Sequence, residues 1–115
     1  MTDCIFCRIA AGDIPATIVD RTDEAVAFRD LDPKAPTHIL VIPVQHVSAA
    51  RDATGDEGAR LLGHLIQLAT RVARAEGLDA GGYRLVTNTG PDAGQSVAHL
   101  HVHLLGGRSM TWPPG

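Results

Sequence analysis

The sequence has no apolar run that approaches the roughly 18 residues needed to cross a membrane. Its first residues have neither the basic stretch nor the apolar core of a signal peptide. Positive charge is not in excess, because 10 Lys and Arg stand against 13 Asp and Glu. A large nucleic-acid-binding face needs clustered Lys and Arg, so we expect no nucleic acid as partner. The missing apolar run leads us to expect no membrane as partner either. A small anionic substrate needs only a few donors and is not excluded. We therefore place the protein in the cytoplasm.

Cysteine is scarce, with Cys4 and Cys7 as the two in the chain. In a reducing cytoplasm they should not form a lasting disulfide. Their Cys-x-x-Cys spacing leaves three interpretations: half of a zinc site, a redox pair, or two buried helix cysteines. No thioredoxin-like βαβ pattern follows, which disfavours the redox pair. A zinc ion would need two more ligands, and the chain has six histidines.

Hydrophobic periodicity predicts one domain over residues 1–115, with five strands and two helices. A short helix over residues 4–11 ends at Gly12, and a long helix runs from Asp56 to Glu76, with Thr54 and Glu57 at capping-box spacing. The predicted strands are Thr17–Asp20, Ala25–Arg29, His38–Ile42, Tyr83–Asn88 and His99–Leu105. Since the strands cluster at both ends of the sequence, the simplest fold is α+β with a mostly antiparallel sheet packed on the long helix.

Three histidines, His99, His101 and His103, alternate with apolar residues in the last predicted strand. Alternate strand residues share a face, so the histidines should face one way and the apolar residues should pack under the long helix. The alternatives are an idle surface, one metal bound by all three, or catalysis. The outer two lie about 13 Å apart along a strand, too far for easy ligation of one ion, so we expect the three to divide their work. Near neutral pH an imidazole can act as a nucleophile or as a general acid–base group.

The polar, glycine-rich segment before these histidines is a candidate phosphate site. Gly94 permits a close approach of the main chain, and the N–H groups around Gln95 and Ser96 can hold a phosphate together with the Ser96 hydroxyl. A glycine-rich turn alone is more often a plain connection, and its place beside the histidines is what favours the phosphate. His64 lies on the same side of the long helix as several arginines, and we interpret it as a surface residue.

Residues 99–105 meet in full the pattern His-φ-His-φ-His-φ-φ, where φ is apolar, and Gly94-Gln-Ser96 precedes them. In this the chain resembles the histidine triad family of nucleotide-binding proteins. The resemblance extends to Asp-Leu-Asp-Pro-Lys-Ala-Pro-Thr-His (30–38), to Gly-Tyr-Arg-Leu-Val-Thr-Asn (82–88) and to the ending Leu-Leu-Gly-Gly-Arg-Ser-Met-Thr-Trp-Pro-Pro-Gly. It implies a HIT-like fold whose sheet continues across a homodimer, with the segment 112–115 reaching toward the partner's site.

The closest branch is the purine nucleoside phosphoramidases, and the resemblance implies a role for each matching residue. His101 is the nucleophile, His103 binds the phosphate, His38 supports the nucleophile, and Ser96 lies near the leaving amine. Further implied nucleotide contacts are Gly94, Gln95 and Asn88 at the phosphate, Asp30 at the ribose, and Leu31 at the base. The implied purine pocket consists of Phe6, Ile9, Ile14, Phe28 and Leu40, each of which, taken singly, is equally well explained as ordinary core.

In zinc-containing relatives, two cysteines join a histidine of a Pro-x-x-His loop and the first histidine of the triad. The resemblance thus implies a structural zinc on Cys4, Cys7, His46 and His99, a closed Cys2His2 set. Some relatives lack the cysteine pair. If zinc takes His99, that residue cannot also support catalysis as it does in zinc-free relatives.

The implied activity is hydrolysis of AMP- or GMP-amines through a nucleotidylated His101, with no catalytic metal. Nucleotidyl-transferring relatives carry Gln where this chain has His103, which favours water as the second acceptor. Two alternatives stay open: a dinucleoside polyphosphate hydrolase, and a nucleotide-binding regulatory or scaffold module. The intact set His38, Ser96, His101 and His103 argues against a purely binding role.

Overall fold

The computed structural model describes residues 3–115, which form a five-stranded sheet with one short and one long α-helix. The elements are α1 (Ile5–Ala11), β1 (Ile18–Arg21), β2 (Ala25–Arg29), β3 (Thr37–Pro43), a 3-10 turn (Ala50–Asp52), α2 (Gly55–Ala75), β4 (Tyr83–Val86) and β5 (Val102–Gly106). The strand order is β1-β2-β3-β5-β4, and every neighbouring pair is antiparallel. The predicted α+β class is confirmed. Neither α1 nor α2 is long and apolar enough to cross a membrane.

The larger core lies between α2 and one face of the sheet. Leu65, Leu68 and Val72 of α2 are buried against β2, β3 and β5. Their spacing follows the helical period, so the predicted apolar stripe is confirmed. Leu100, Val102 and Leu104 belong to this core, as expected of the residues that alternate with the histidines.

The opposite face of the sheet carries α1 and a smaller core. Phe6 and Ile9 of α1 pack with Phe28 and Leu40 from the sheet. Cys4 precedes the helix, where its Sγ accepts a hydrogen bond from the Cys7 N–H at 3.4 Å. A helix of seven residues is not stable by itself, so these side-chain contacts hold α1 against the sheet.

The largest differences from the predicted strands are at the end of β4 and the start of β5, where the Thr87 side chain lies, and the other strand ends differ by at most one residue. The Thr87 hydroxyl donates to the His101 carbonyl at 2.9 Å, directly beyond the last pair of the β4–β5 ladder, Val86 with His103. Strand β4 accordingly ends at Val86 rather than Asn88. Strand β5 begins at Val102 rather than His99, and the Leu100 N–H donates instead to Val47 O at 2.6 Å. His99 and His101 therefore lie in the segment just before the strand.

The predicted capping box is wrong. Thr54 does precede α2, but its side chain makes no capping hydrogen bond. Glu57 does not reach back to it, because the Glu57 carboxylate accepts from Arg60 Nε at 2.6 Å.

His64, interpreted as a surface residue, is partly exposed, and its Nε2 lies 2.8 Å from the Thr22 hydroxyl. It joins α2 to the turn between β1 and β2.

Two glycines of α2 provide a matched pair of substitutions. A Cβ at Gly58 would collide with the main chain of Ala53, whereas a Cβ at Gly63 meets nothing within 4 Å. Gly58→Ala should lower the free energy of unfolding by about 2 kcal/mol or more, because rigid backbone must shift. Gly63→Ala should raise it by about 0.5–1 kcal/mol. Urea denaturation of both variants measures this, and equal effects would contradict the close approach at Gly58.

Candidate active site

The pairing of β3 with β5 brings His38 beside His103. The Lys34 main-chain N–H donates to His38 Nδ1 at 3.0 Å, so the His38 proton is on Nε2. His38 Nε2 lies 2.9 Å from His103 Nδ1 and 3.4 Å from Asp30 Oδ2. It therefore donates to His103 Nδ1, which places the proton of a neutral His103 on its outer nitrogen, Nε2.

His101 is held in the opposite tautomer. Its Nδ1 lies 2.7 Å from the carbonyl oxygen of His99, so Nδ1 carries the proton and donates it. The residue is 3% exposed, and its ring contacts the rings of Phe6 and His103 at centroid distances of 5.1 and 5.0 Å. His101 thus offers a nitrogen lone pair at Nε2, and its neighbour His103 offers an N–H.

Burial keeps His38 and His103 neutral. It lowers the pKa of His103 to about 4, with further lowering from the charges of His101 and His38, and Asp30 opposes the shift. Burial is also the main cause that lowers the pKa of His38, again against Asp30. Neutral rings at pH 7 agree with the hydrogen-bond chain from Lys34 through His38 to His103.

A cleft of about 280 Å³ opens between α1 and the sheet and ends at these histidines. Apolar side chains form its walls, and polar groups gather at one end. The walls include Phe6, Ile9, Ile14, Phe28 and Leu40, and the polar end has Asp30, Ser96, His101 and His103. Leu31, which is 98% exposed, also lines it. The cleft has the size and polarity pattern of a small-molecule site.

Three residues predicted at the phosphate do not line this cleft. Asn88 lies along a second groove. The Gln95 amide is used in protein contacts: Oε1 accepts from the Gly90 N–H of its own loop at 2.9 Å, and Nε2 donates to Ser48 O, in the segment after β3, at 2.7 Å. Gly94 has a left-handed φ of 79°, which a glycine adopts without strain. Gly94 and Gln95 thus shape the turn that presents Ser96.

The second groove, of about 370 Å³, lies on the other side of His103. His103 lines both cavities, and His38 faces only the second. The groove is also lined by Lys34, Arg84, Val86, Asn88, Leu105, Arg108, Met110, Thr111 and Pro114. It contains no Asp or Glu side chain among the described residues.

A separate cluster consists of Cys4, Cys7, His46 and His99. The two Nδ1 atoms are 3.1 Å apart, and the sulfurs lie 3.2–3.5 Å from them in three contacts: Cys4 to His99, Cys7 to His46, and Cys7 to His99. A tetrahedral zinc with such ligands has edges of roughly 3.3–3.8 Å, so the donor atoms fit that ion with little movement. All four donors lie within 4.8 Å of one another.

The second nitrogen of His99 supports the same conclusion. His99 Nε2 lies 2.9 Å from Pro43 O and donates to it, so Nδ1 faces the sulfurs with a lone pair. Burial lowers the pKa of His99, which keeps the ring neutral as a metal ligand must be. Asp30, His38 and His103 also converge. Their facing nitrogens, His38 Nε2 and His103 Nδ1, are already joined by the hydrogen bond described above, so we assign no metal to this group.

With this geometry established, the comparisons with known proteins place the chain in a family. The HIT domain family model matches residues 11–110. An uncharacterized HIT-like protein of Synechococcus elongatus is 54% identical over 113 residues, which cover 98% of this chain and 97% of that protein. A 14 kDa zinc-binding protein of Zea mays is 49% identical over 112 residues, covering 96% and 87%. The chain belongs to the HIT domain family.

A solved structure gives the same result for the whole fold. The crystal structure of a HIT family hydrolase from Legionella pneumophila Philadelphia 1 matches with a TM-score of 0.94 at 50% identity, over 98% of this chain and 100% of that one. The HIT-like fold predicted from the histidine pattern is therefore confirmed.

Sequence reasoning missed two main-chain groups and two side chains at the site. The Lys34 N–H and the His99 carbonyl set the tautomers of His38 and His101, and no residue type marks such groups in a sequence. Arg84 and Arg108 line the second groove. Both belong to segments on which the family resemblance rests, residues 82–88 and 104–115. That resemblance is the sequence signal that could have identified them.

The low pKa of His103 predicts a pH-dependent stability. Its folded-state pKa of about 4 is below the ordinary 6.5, so the unfolded chain takes up a proton first as the pH falls. The associated stability is complete above pH 6.5 and is lost toward pH 4. Between pH 7 and pH 5 the wild type should lose about 1 kcal/mol more than His103→Gln, after a discount for the partly exposed ring. Urea denaturation at both pH values measures this, and equal losses would contradict it.

Proposed function

We propose that the protein is a hydrolase that cleaves the P–N bond of purine nucleoside 5′-phosphoramidates, giving a nucleoside monophosphate and an amine. The observation that carries the proposal is the pairing of two oppositely set imidazoles at the polar end of the apolar cleft. His101 presents a lone pair and His103 presents an N–H. Attack on phosphorus needs the first, and an anionic phosphate oxygen needs the second. The name of the Legionella relative, a hydrolase, agrees with this class of reaction.

The cleft suits a purine nucleotide from end to end. Phe6, Phe28 and Leu40 provide apolar surfaces for the base, and Leu31 adds one at the mouth. The Asp30 carboxylate can accept hydrogen bonds from the ribose hydroxyls. The phosphate then lies beside Ser96, His101 and His103.

The reaction has two steps. His101 Nε2 attacks phosphorus, the P–N bond breaks, and the leaving amine takes a proton from solvent through the Ser96 hydroxyl. His101 becomes cationic, and the His99 carbonyl that accepts its Nδ1–H stabilises this charge. Water then attacks phosphorus, the bond to Nε2 breaks, and the water's proton returns to solvent. His38 and Asp30 hold His103 in position throughout, and no catalytic metal is required.

We further infer that Cys4, Cys7, His46 and His99 hold one structural zinc. Four protein ligands complete a tetrahedron and leave no open position for a substrate, so the ion would stabilise rather than react. Its ligand His99 also supplies the carbonyl that holds His101. The relative from Zea mays is named a zinc-binding protein, which supports the inference.

The homodimer, the cytoplasmic location and the single domain implied earlier stay predictions. Strand β4 lies at one edge of the sheet among residues 3–115, where a second copy could extend the ladder. Sedimentation equilibrium tests the dimer against the protomer mass of 12.1 kDa.

The nucleophile assignment is tested with His101→Ala. Phosphoramidate turnover should fall at least about 1,000-fold, because the group that forms the intermediate is gone, while AMP binding is largely retained. His64→Ala, which removes a histidine outside the cleft, is the control and should keep its turnover. Undiminished turnover in His101→Ala would refute the nucleophile. Faster wild-type cleavage of dinucleoside polyphosphates would favour that activity instead, and tight AMP binding without any turnover would favour a binding module.

The zinc site is tested by elemental analysis of protein purified without added metal. About one zinc per chain is expected. Cys7→Ser should lower the zinc content and the melting temperature, because Cys7 contacts both histidines of the cluster. His64→Ala should keep its zinc. Less than about one tenth of an equivalent in the wild type would count against the site.

A further inference from the structure

The main chain of His101 has less support from the sheet than that of the neighbouring imidazole. His103 lies within β5 and is paired on both sides, with Leu40 of β3 and with Val86 of β4. His101 lies just before β5, and no strand pair within residues 3–115 includes it. The two rings nevertheless have to keep their relative positions, because the proposed reaction applies a lone pair of one and an N–H of the other to the same phosphate.

A side-chain hydroxyl takes the place of the missing strand pairing. The Thr87 Oγ1 donates to the carbonyl oxygen of His101 at 2.9 Å. Thr87 follows directly on β4, whose Tyr83 and Leu85 pack against the larger core. Because a threonine side chain is stiff at χ1, this hydrogen bond fixes the main chain of His101 relative to the end of β4.

A second hydrogen bond fixes the ring of the same residue. His101 Nδ1 donates to the carbonyl oxygen of His99 at 2.7 Å. One contact therefore holds the main chain of His101 and the other holds its ring, and together they determine where Nε2 points. His101 is 3% exposed, so without the Thr87 hydroxyl its carbonyl oxygen would be a buried acceptor with no donor, and the peptide group would turn toward another one.

From these contacts we infer that Thr87 is a positioning residue for the nucleophile. The inference rests on the proposed function and adds to it a residue that does not line the nucleotide cleft. Attack requires Nε2 to lie about 3–3.5 Å from phosphorus, and a displacement of about 1 Å lowers the rate roughly 100-fold. The Thr87 hydroxyl keeps His101 in the place, beside His103, from which it reaches phosphorus.

Three substitutions at this position separate the hydroxyl from the shape of the side chain. Thr87→Val removes the hydroxyl and should lower kcat for an adenosine 5′-phosphoramidate by about 10–100-fold, because His101 loses its main-chain anchor. Thr87→Ala should reproduce the loss, and it provides the same test if the valine variant does not fold. Thr87→Ser keeps the donor, and its kcat should stay within about threefold of the wild type.

The loss should fall on the chemical step and not on nucleotide binding. The nucleoside contacts proposed above do not involve Thr87, so the dissociation constant for AMP should change by less than about twofold. In single-turnover experiments, nucleotidylated His101 should form more slowly by a factor similar to that in kcat. Ring-nitrogen NMR of isotope-labelled histidine adds a readout that needs no turnover. The single Nδ1–H tautomer of His101 in the wild type should become a mixture in Thr87→Val.

Thr70→Val is the matched control. The Thr70 hydroxyl also donates to a main-chain carbonyl oxygen, that of Gln67 at 2.8 Å, but it lies on α2 and does not line the cleft. The variant thus removes the same kind of hydrogen bond and reports what its loss does to stability alone. Its kcat should stay within about twofold of the wild type. Melting temperatures show that each variant is folded.

The outcomes separate the two proposals. The positioning role is overturned if Thr87→Val keeps its kcat, if Thr87→Ser loses as much as Thr87→Val, or if Thr70→Val shows the same loss. Weaker AMP binding that accounts for the whole loss also overturns it. If the wild type hydrolyses no phosphoramidate, the proposed function fails and the NMR readout decides on Thr87 by itself. An unchanged single tautomer in Thr87→Val then overturns the positioning role, and a mixture supports it.

Discussion

The hydrogen bond from His101 Nδ1 to the carbonyl oxygen of His99, 2.7 Å long, joins the two halves of the site. The side chain of His99 belongs to the cysteine cluster, and its carbonyl belongs to the reacting centre. This one contact decides which nitrogen of His101 has a free lone pair. Phe6 reinforces it, because its ring contacts both His99 and His101 and also lines the cleft.

The two imidazoles facing the phosphate site have opposite tautomers because their hydrogen-bond partners differ. The main-chain carbonyl of His99 fixes the tautomer of His101. The main-chain N–H of Lys34 fixes the tautomer of His38, which in turn fixes that of His103. The two main-chain groups do not titrate, so each fixes the tautomer of the neutral ring that depends on it. Burial adds to this by keeping His103 uncharged near neutral pH. The site thus uses fixed main-chain dipoles where free side chains would need to reorganise.

Periodicity predicted most of the fold because most elements have one clear face. The stripe of α2 and the run Ala25–Arg29 match the structure closely, and the other strands agree to within a few residues. The errors occurred where a side chain makes a contact that no local pattern specifies. Thr87 donates to the His101 carbonyl where β4 ends, and Arg60 takes the carboxylate of the expected capping box. Such competition depends on tertiary contacts that no local pattern contains.

The site was predictable as a set of residues and less so as a geometry. The family resemblance named most of the residues that line the cleft, and the converging cysteines and histidines agree with the expected metal set. It did not indicate that Asn88 lies on the far side of His103 or that Gln95 braces its own loop. Those placements follow from the turn before β5, whose course is set by main-chain contacts.

The strand order has a consequence for how the chain folds. Strand β5 is the last of the five in sequence, yet it lies between β3 and β4. Strand β4 has no partner in the described sheet until β5 has been synthesised. Cys4 likewise meets its partner His99 only after the 95 residues that separate them have been added. Contacts of such long sequence separation form slowly, because the loop must close before the pairing stabilises it. Neither the reacting centre nor the cysteine cluster can therefore be complete before β5 and the histidines ahead of it take their place in the middle of the sheet.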